Sequence, residues 1–214
     1  MKAAKFSSRN IFTFFFCMIL LEVAFPKSLS AQTVYSTHAG KAGTVKVSGT
    51  SDLQTWTVTS TEAESQGVFT LDEKNQMKAI SQLQFTLKAN SLQGGLKIMD
   101  HKAHKALKAS KYPVISFQLE SAVVLPIQAN QQVIHATGSL TLKGVTHTIT
   151  LPMLAVLNSD RSFTITGTKA LRFSDYLIKA PSFMGGAMQA GNDITVDILL
   201  TYLPPQTQVL AENK

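Results

Sequence analysis

The chain contains one cysteine, Cys17, and only 15% of its 214 residues are charged. A lone thiol cannot close a disulfide within the chain, and a thiolate metal centre needs several. With 44% hydrophobic residues and so little charge the chain is not a solvated disordered one, and 12 Gly with 7 Pro are too few for a low-complexity or collagen-like chain. No Gly-x-x-x-x-Gly-Lys phosphate loop, dinucleotide fingerprint or Gly-x-Ser-x-Gly elbow occurs. Apart from Asp72-Glu73, acidic residues stand singly over turns and run ends, so the paired carboxylates of glycoside chemistry are not expected. Aromatic and basic residues do not cluster together, so no nucleic-acid partner is expected.

What is present starts unevenly. Lys2, Lys5 and Arg9 precede the apolar run Ile11 to Leu21, and the small-residue exit Ser28-Leu-Ser-Ala31 follows. That order reads as a secretory signal peptide over residues 1–31, removed by cleavage near Ala31. The run is about half of the ~20 residues a membrane-spanning helix needs, and Glu22, Pro26 and Lys27 interrupt its far side. The expectation is a periplasmic or secreted protein with no stable membrane anchor. Cys17 leaves with the leader, and bulky Phe16 stands where a lipid-attachment motif needs a small residue. Cleavage removes four cations and one anion from the formal +7, leaving +4. Stability then rests on a core, and chains of this size bury roughly 70% of their unfolded surface.

From Thr44 onward, apolar and polar residues alternate with the period of a half-buried strand. Leu83, Phe85 and Leu87 alternate with Gln84, Thr86 and Lys88, and Ile115, Phe117 and Leu119 with Ser116, Gln118 and Glu120. Two further runs, Val145 to Leu151 and Ile194 to Tyr202, behave the same way, as expected of sheets with one face on a core and one in water. Turn signals separate the runs at Leu71 to Asn75, Gln128 to Gln131 and Asn158 to Asp160, and Lys143-Gly144 joins the clearest hairpin. About eight strands in an antiparallel sandwich or barrel are predicted, in one domain over 32–203, with a polar tail over 204–214. One interval departs from alternation: Met99, Ala103, Ala106 and Leu107 share a helical face opposite Lys102, Lys105 and Lys108, predicting a short amphipathic helix against the sheet.

His101 and His104 lie one turn apart beside Asp100, the only grouping that resembles metal ligands, and no second cluster completes a site. No metal, no catalytic residue and hence no enzyme is expected. The apolar inventory is more informative. Phe69, Phe85, Phe117, Phe163, Phe173 and Phe183 remain after the leader, and soft methionines such as Met184 and Met188 near Phe183 suit a flexible hydrocarbon ligand. A barrel of about eight strands is wide enough either to be filled by side chains or to hold one small ligand.

Four segments in register resemble the YceI-like family of exported bacterial proteins: Gly49 to Trp56, Met99 to Phe117, the hairpin Gly138 to Leu151, and Ala180 to Gly186. The resemblance spans almost the whole chain after the leader. It implies an all-β fold, a single antiparallel eight-stranded lipocalin-like barrel with a short amphipathic helix and a long apolar tunnel. It also implies a non-enzymatic protein that sequesters or carries an isoprenoid lipid or isoprenoid quinone. By position, the tunnel lining would include Leu83, Phe85, Leu87, Ile115, Phe117, Leu119, Leu140, Leu142, Phe163 and Ile165. The expected partner is a hydrophobic small molecule, with a homodimer as an option. Relatives often carry Leu-His-Asp-Trp where this chain has Leu53-Gln-Thr-Trp56, so a polar pair is absent at that corner while the tryptophan stays. The alternatives are a metal-dependent protein using Asp100, His101 and His104, or a surface-acting envelope stress protein with a filled barrel.

Overall fold

The computed structural model describes residues 31–37, 43–183 and 188–205; the expected leader, apart from Ala31, and most of the polar tail lie outside these residues. Among them are eleven strands: β1 (Ala31–Ser36), β2 (Gly43–Ser51), β3 (Thr55–Ser60), β4 (Ala63–Leu71), β5 (Met77–Lys88), β6 (Val114–Gln128), β7 (Gln131–Leu142), β8 (Val145–Leu157), β9 (Phe163–Arg172), β10 (Ser182–Phe183) and β11 (Met188–Tyr202). One α-helix, α1 (Lys97–Leu107), lies between β5 and β6. The strands pair antiparallel in the order β1-β4-β5-β6-β7-β8-β9-β11-β2-β3, with β10 added to β11.

The predicted count of eight strands is therefore too low. Eight strands have nine or more residues, long enough to show alternation. The other three, β1, β3 and β10, have six or fewer, and too few side chains to establish a period. β1 also begins at Ala31, where the sequence reads as the end of a leader.

The alternating runs fold as period two requires. Along β5, Leu83, Phe85 and Leu87 are buried while Gln84, Thr86 and Lys88 face out. Register irregularities in β4–β5, β6–β7 and β11–β2 bend these strands, so the sheet curls upon its apolar face. The hairpin between β7 and β8 turns through Lys143 and Gly144, at φ 53° and 76°, the two positive values of a type I′ turn. Glycine relieves the second position of the steric cost and leaves room for the Tyr112 ring, 2.6 Å from where a Cβ would stand.

The curled sheet has two unlike ends. At one, the turns β4–β5, β6–β7 and β8–β9 surround an aromatic plug. Tyr35 stacks on Phe69 with centroids 4.9 Å apart, and Phe163 meets both edge-on at 5.4 and 5.7 Å. Tyr202 joins Phe69 at 5.2 Å. A backbone bridge between Ser36 and Leu203, with N···O distances of 3.2 and 2.9 Å, ties β1 to the end of β11 and draws the sheet closed there. At the other end lie the β2–β3 and β7–β8 turns, the segment 173–182, and α1. The helix stops at Lys108, whose φ of 51° is left-handed and whose N–H returns to the carbonyls of His104 and Lys105.

Candidate ligand-binding site

No residue of α1 is fully buried, because its apolar face covers a hollow instead of a packed core. Met99, Ala103, Ala106 and Leu107 line this cavity from above. Its walls come from the inward residues of the sheet, and its volume is about 390 Å³. That lies within the ~300–1,000 Å³ of small-molecule sites. The floor is formed by buried Ile165, Leu200 and Tyr202, next to the aromatic plug. At the top, the exposed residues Gln54, Thr55 and Leu96 also line it, so the cavity opens between the β2–β3 turn and the start of α1.

Polar groups are few around the hollow. The Tyr202 hydroxyl and Ser65 Oγ are 2.7 Å apart, and Ser65 Oγ also donates to the Gln84 carbonyl at 2.7 Å. Burial pushes the Tyr202 phenol up to about 12, the Ser65 bond lowering it only in part. The Trp56 indole N–H donates to the Thr50 carbonyl at 3.0 Å, leaving the ring face for apolar contact. Its ring lies over Gly49, where a Cβ would come within 2.4 Å, and parallel to Phe173 at 6.2 Å. The arrangement thus suits apolar matter, because most of the described residues that line it are Val, Leu and Ile.

The sequence-derived residues divide by position. Leu83, Phe85, Leu87, Ile115, Phe117, Leu140, Leu142 and Ile165 line the cavity. Leu119 and Phe163 are buried in the packed core instead, Phe163 within the aromatic plug. Met184 and the side chains of Phe183 and Met188 lie outside the described residues. Trp56, the tryptophan kept beside Gln54 and Thr55, sits half-buried on the cavity wall. Val47, Val58, Ile149 and Val196 line it too. Ile149 and Val196 stood within recognised alternating runs, so the signal for them was present and unused.

Asp100 and His104 do local work. The Asp100 carboxylate accepts the Gly94 N–H at 2.6 Å, and His104 Nε2 bonds the Leu92 carbonyl at 2.8 Å, which fastens the first and second turns of α1 to the segment before it. His101 faces out, and no group of three His, Cys, Asp or Glu side chains placed to hold a metal ion occurs among the described residues.

Comparison with known proteins adds family and fold. The YceI-like domain family matches residues 31–202. The crystal structure of Burkholderia cenocepacia BcnA is similar, with a TM-score of 0.59 at 18% identity over 77% of this chain and 98% of that one. A polyisoprenoid binding domain from Saccharophagus degradans, implicated in plant cell wall breakdown, gives a TM-score of 0.60 at 15% identity over 81% of this chain and 99% of that one. No curated protein matches the sequence.

Proposed function

Because the chain belongs to the YceI-like family, we propose that it binds an isoprenoid lipid or isoprenoid quinone in the cavity beneath α1, as a carrier or sequestering protein and not as an enzyme. The observation that carries this reading is the hollow itself: a family fold whose inward side chains are apolar yet leave about 390 Å³ unfilled. The hollow weighs against a barrel packed solid and acting through its surface alone. The polyisoprenoid-binding neighbour supports the choice of ligand class. Each methylene moved from water into such a site contributes about 0.8 kcal/mol, so a prenyl chain needs no specific polar contact to be held. Branched methyls suit walls of Val, Ile and Leu, and Met99 and Met153 adapt to them.

The same proposal places the work outside the cytoplasm, in the periplasm or the medium, after removal of residues 1–31. Support comes from the cationic start, the short apolar run and the small-residue exit. The N-terminal sequence of protein recovered from its own cell envelope tests this, and a start near Gln32 is expected.

Ligand binding is tested by organic extraction and mass spectrometry of protein purified from its native source. A long-chain prenyl lipid is expected. Phe117→Asp, which sets a carboxylate in the apolar wall, should empty the site. Leu140→Trp, which fills the hollow without charge, should empty it too and shows that any loss is not misfolding alone. Native protein that is reproducibly empty would overturn the proposal.

A further inference from the structure

Beyond the cavity, the open end carries a surface of its own. The four most exposed large apolar side chains among the described residues are Leu177 at 73%, Leu53 and Ile98 at 69% and Leu96 at 60%, while no other exceeds 56%. All four belong to segments at the open end: the β2–β3 turn, the start of α1 and the 173–182 segment. Each is also tied to the cavity rim. Leu96 lines the cavity, and Leu53, Ile98 and Leu177 are immediate chain neighbours of the lining residues Gln54, Met99 and Ile178.

Charge is concentrated at the same end. Lys97, Lys102, Lys105, Lys108 and Lys111 lie on and just after α1, and Lys143 and Lys179 on the facing segments. The acids there are Asp52, Asp100, Asp175 and Asp193; Asp100 is already committed to the Gly94 N–H, and Asp193 pairs with Arg172 at 3.4 Å. The closed end is balanced by contrast: Asp72, Glu73 and Asp160 stand with Lys74, Lys78 and Arg161. Lys78 pairs with Asp72 at 3.0 Å, whereas Lys97, Lys105, Lys108, Lys111 and Lys179 make no ion pair among the described residues.

We propose that this end docks on an anionic lipid bilayer, with Leu53, Ile98 and Leu177 entering the interfacial layer and the lysines meeting headgroup phosphates. Exposed apolar tips inside a cationic collar are the pattern of a membrane-surface contact. Their placement around the cavity opening lets a prenyl chain pass between bilayer and cavity without crossing water. The proposal deepens the lipid-binding reading and rests on it for the cargo, but the docking surface can be measured alone.

Purified protein is sedimented with vesicles of phosphatidylcholine, or of phosphatidylcholine mixed with phosphatidylglycerol. Binding is expected only to the anionic vesicles, and it weakens as salt rises. The double variants Leu53→Ser/Ile98→Ser and Lys97→Glu/Lys105→Glu should each weaken it by about tenfold or more. Val123→Ser/Leu125→Ser, on the outer face of β6 away from the opening, should leave it unchanged. Failure to bind anionic vesicles, or binding that survives both open-end variants, would overturn the proposal. Cavity loading is read separately from the fluorescence of Trp56, the single tryptophan of the chain, on addition of a prenyl alcohol. Vesicle binding without a Trp56 response supports the docking surface and removes the cavity reading. A Trp56 response without vesicle binding does the reverse.

Discussion

The two ends of the curled sheet are built by the same alternation and finish differently. At the closed end, Tyr35, Phe69, Phe163 and Tyr202 bring four rings together on the axis, and the backbone bridge at Ser36 and Leu203 fastens the last strands around them. At the open end the inward residues are mostly Val, Leu and Ile, and α1 crosses the space with small and flexible side chains facing in. Four rings packed on one another fill one half, whereas Phe85, Phe117, Phe173 and Trp56 stand among mostly aliphatic walls that leave the other hollow. The difference shows that an apolar inward face does not by itself make a packed core; the volume of the side chains relative to the spacing of the walls decides.

Truncation is the most forceful way to test this contrast. Phe69 is fully buried with rings on several sides, so Phe69→Ala should cost about 3–5 kcal/mol in urea or thermal unfolding. Leu140 is only half-buried and faces space that is already empty, so Leu140→Ala should cost less than ~2 kcal/mol, because little new cavity is created. Equal costs at the two positions would mean that the hollow is filled in solution.

A smaller effect is expected at the boundary between the halves. Tyr202→Phe removes the bond to Ser65 but leaves Ser65 its donation to Gln84, so the loss at neutral pH should be about 1 kcal/mol. The pH response is more specific. The buried phenol's value is raised, so the stability tied to it is fully present below the ordinary phenol value of about 10. It is lost as pH rises through about 12. The difference between wild type and Tyr202→Phe should therefore shrink and then reverse sign in alkaline unfolding measurements.

The smallest effect lies in the closed-end turns. The Gln76 N–H holds the Asp72 carboxyl below its usual value, and the Ser162 hydroxyl does the same for Asp160. A lowered carboxyl contributes stability above the ordinary Asp value of about 3.9, lost as pH falls through the lower folded value. Asp72→Asn/Asp160→Asn should flatten the acid limb of the stability profile while leaving vesicle binding at the other end unchanged.

Much of this was legible from residues in order. The alternation of Leu83, Phe85 and Leu87, the Lys143-Gly144 turn and the helical face of Met99, Ala103 and Ala106 each depend on neighbours within a few positions. The short β1, β3 and β10 were not legible, because a strand of six residues or fewer is held by its partners more than by its own pattern. Within the cavity, alternation identified the inward side but did not separate Ile165, which lines the hollow, from Phe163, which lies in the plug two residues earlier on the same face. The roles of Asp100 and His104 were hidden for a related reason: their partners are backbone atoms of residues 92 and 94, which no side-chain motif reports.

The sequence by itself determined the strand faces, the tight hairpin turn, the helix α1 and the surplus of lysine over acid on it. These follow from local sterics and from the partition of side chains between water and apolar surroundings, and both act over a turn or a strand. Only the tertiary structure decided where the sheet closes, which end remains hollow, and that the exposed leucines and the lysines share its rim. Those outcomes depend on strands far apart in the chain, such as β1 meeting the end of β11 and α1 reaching the 173–182 segment, and on whether the volumes they bring together fill the space between them.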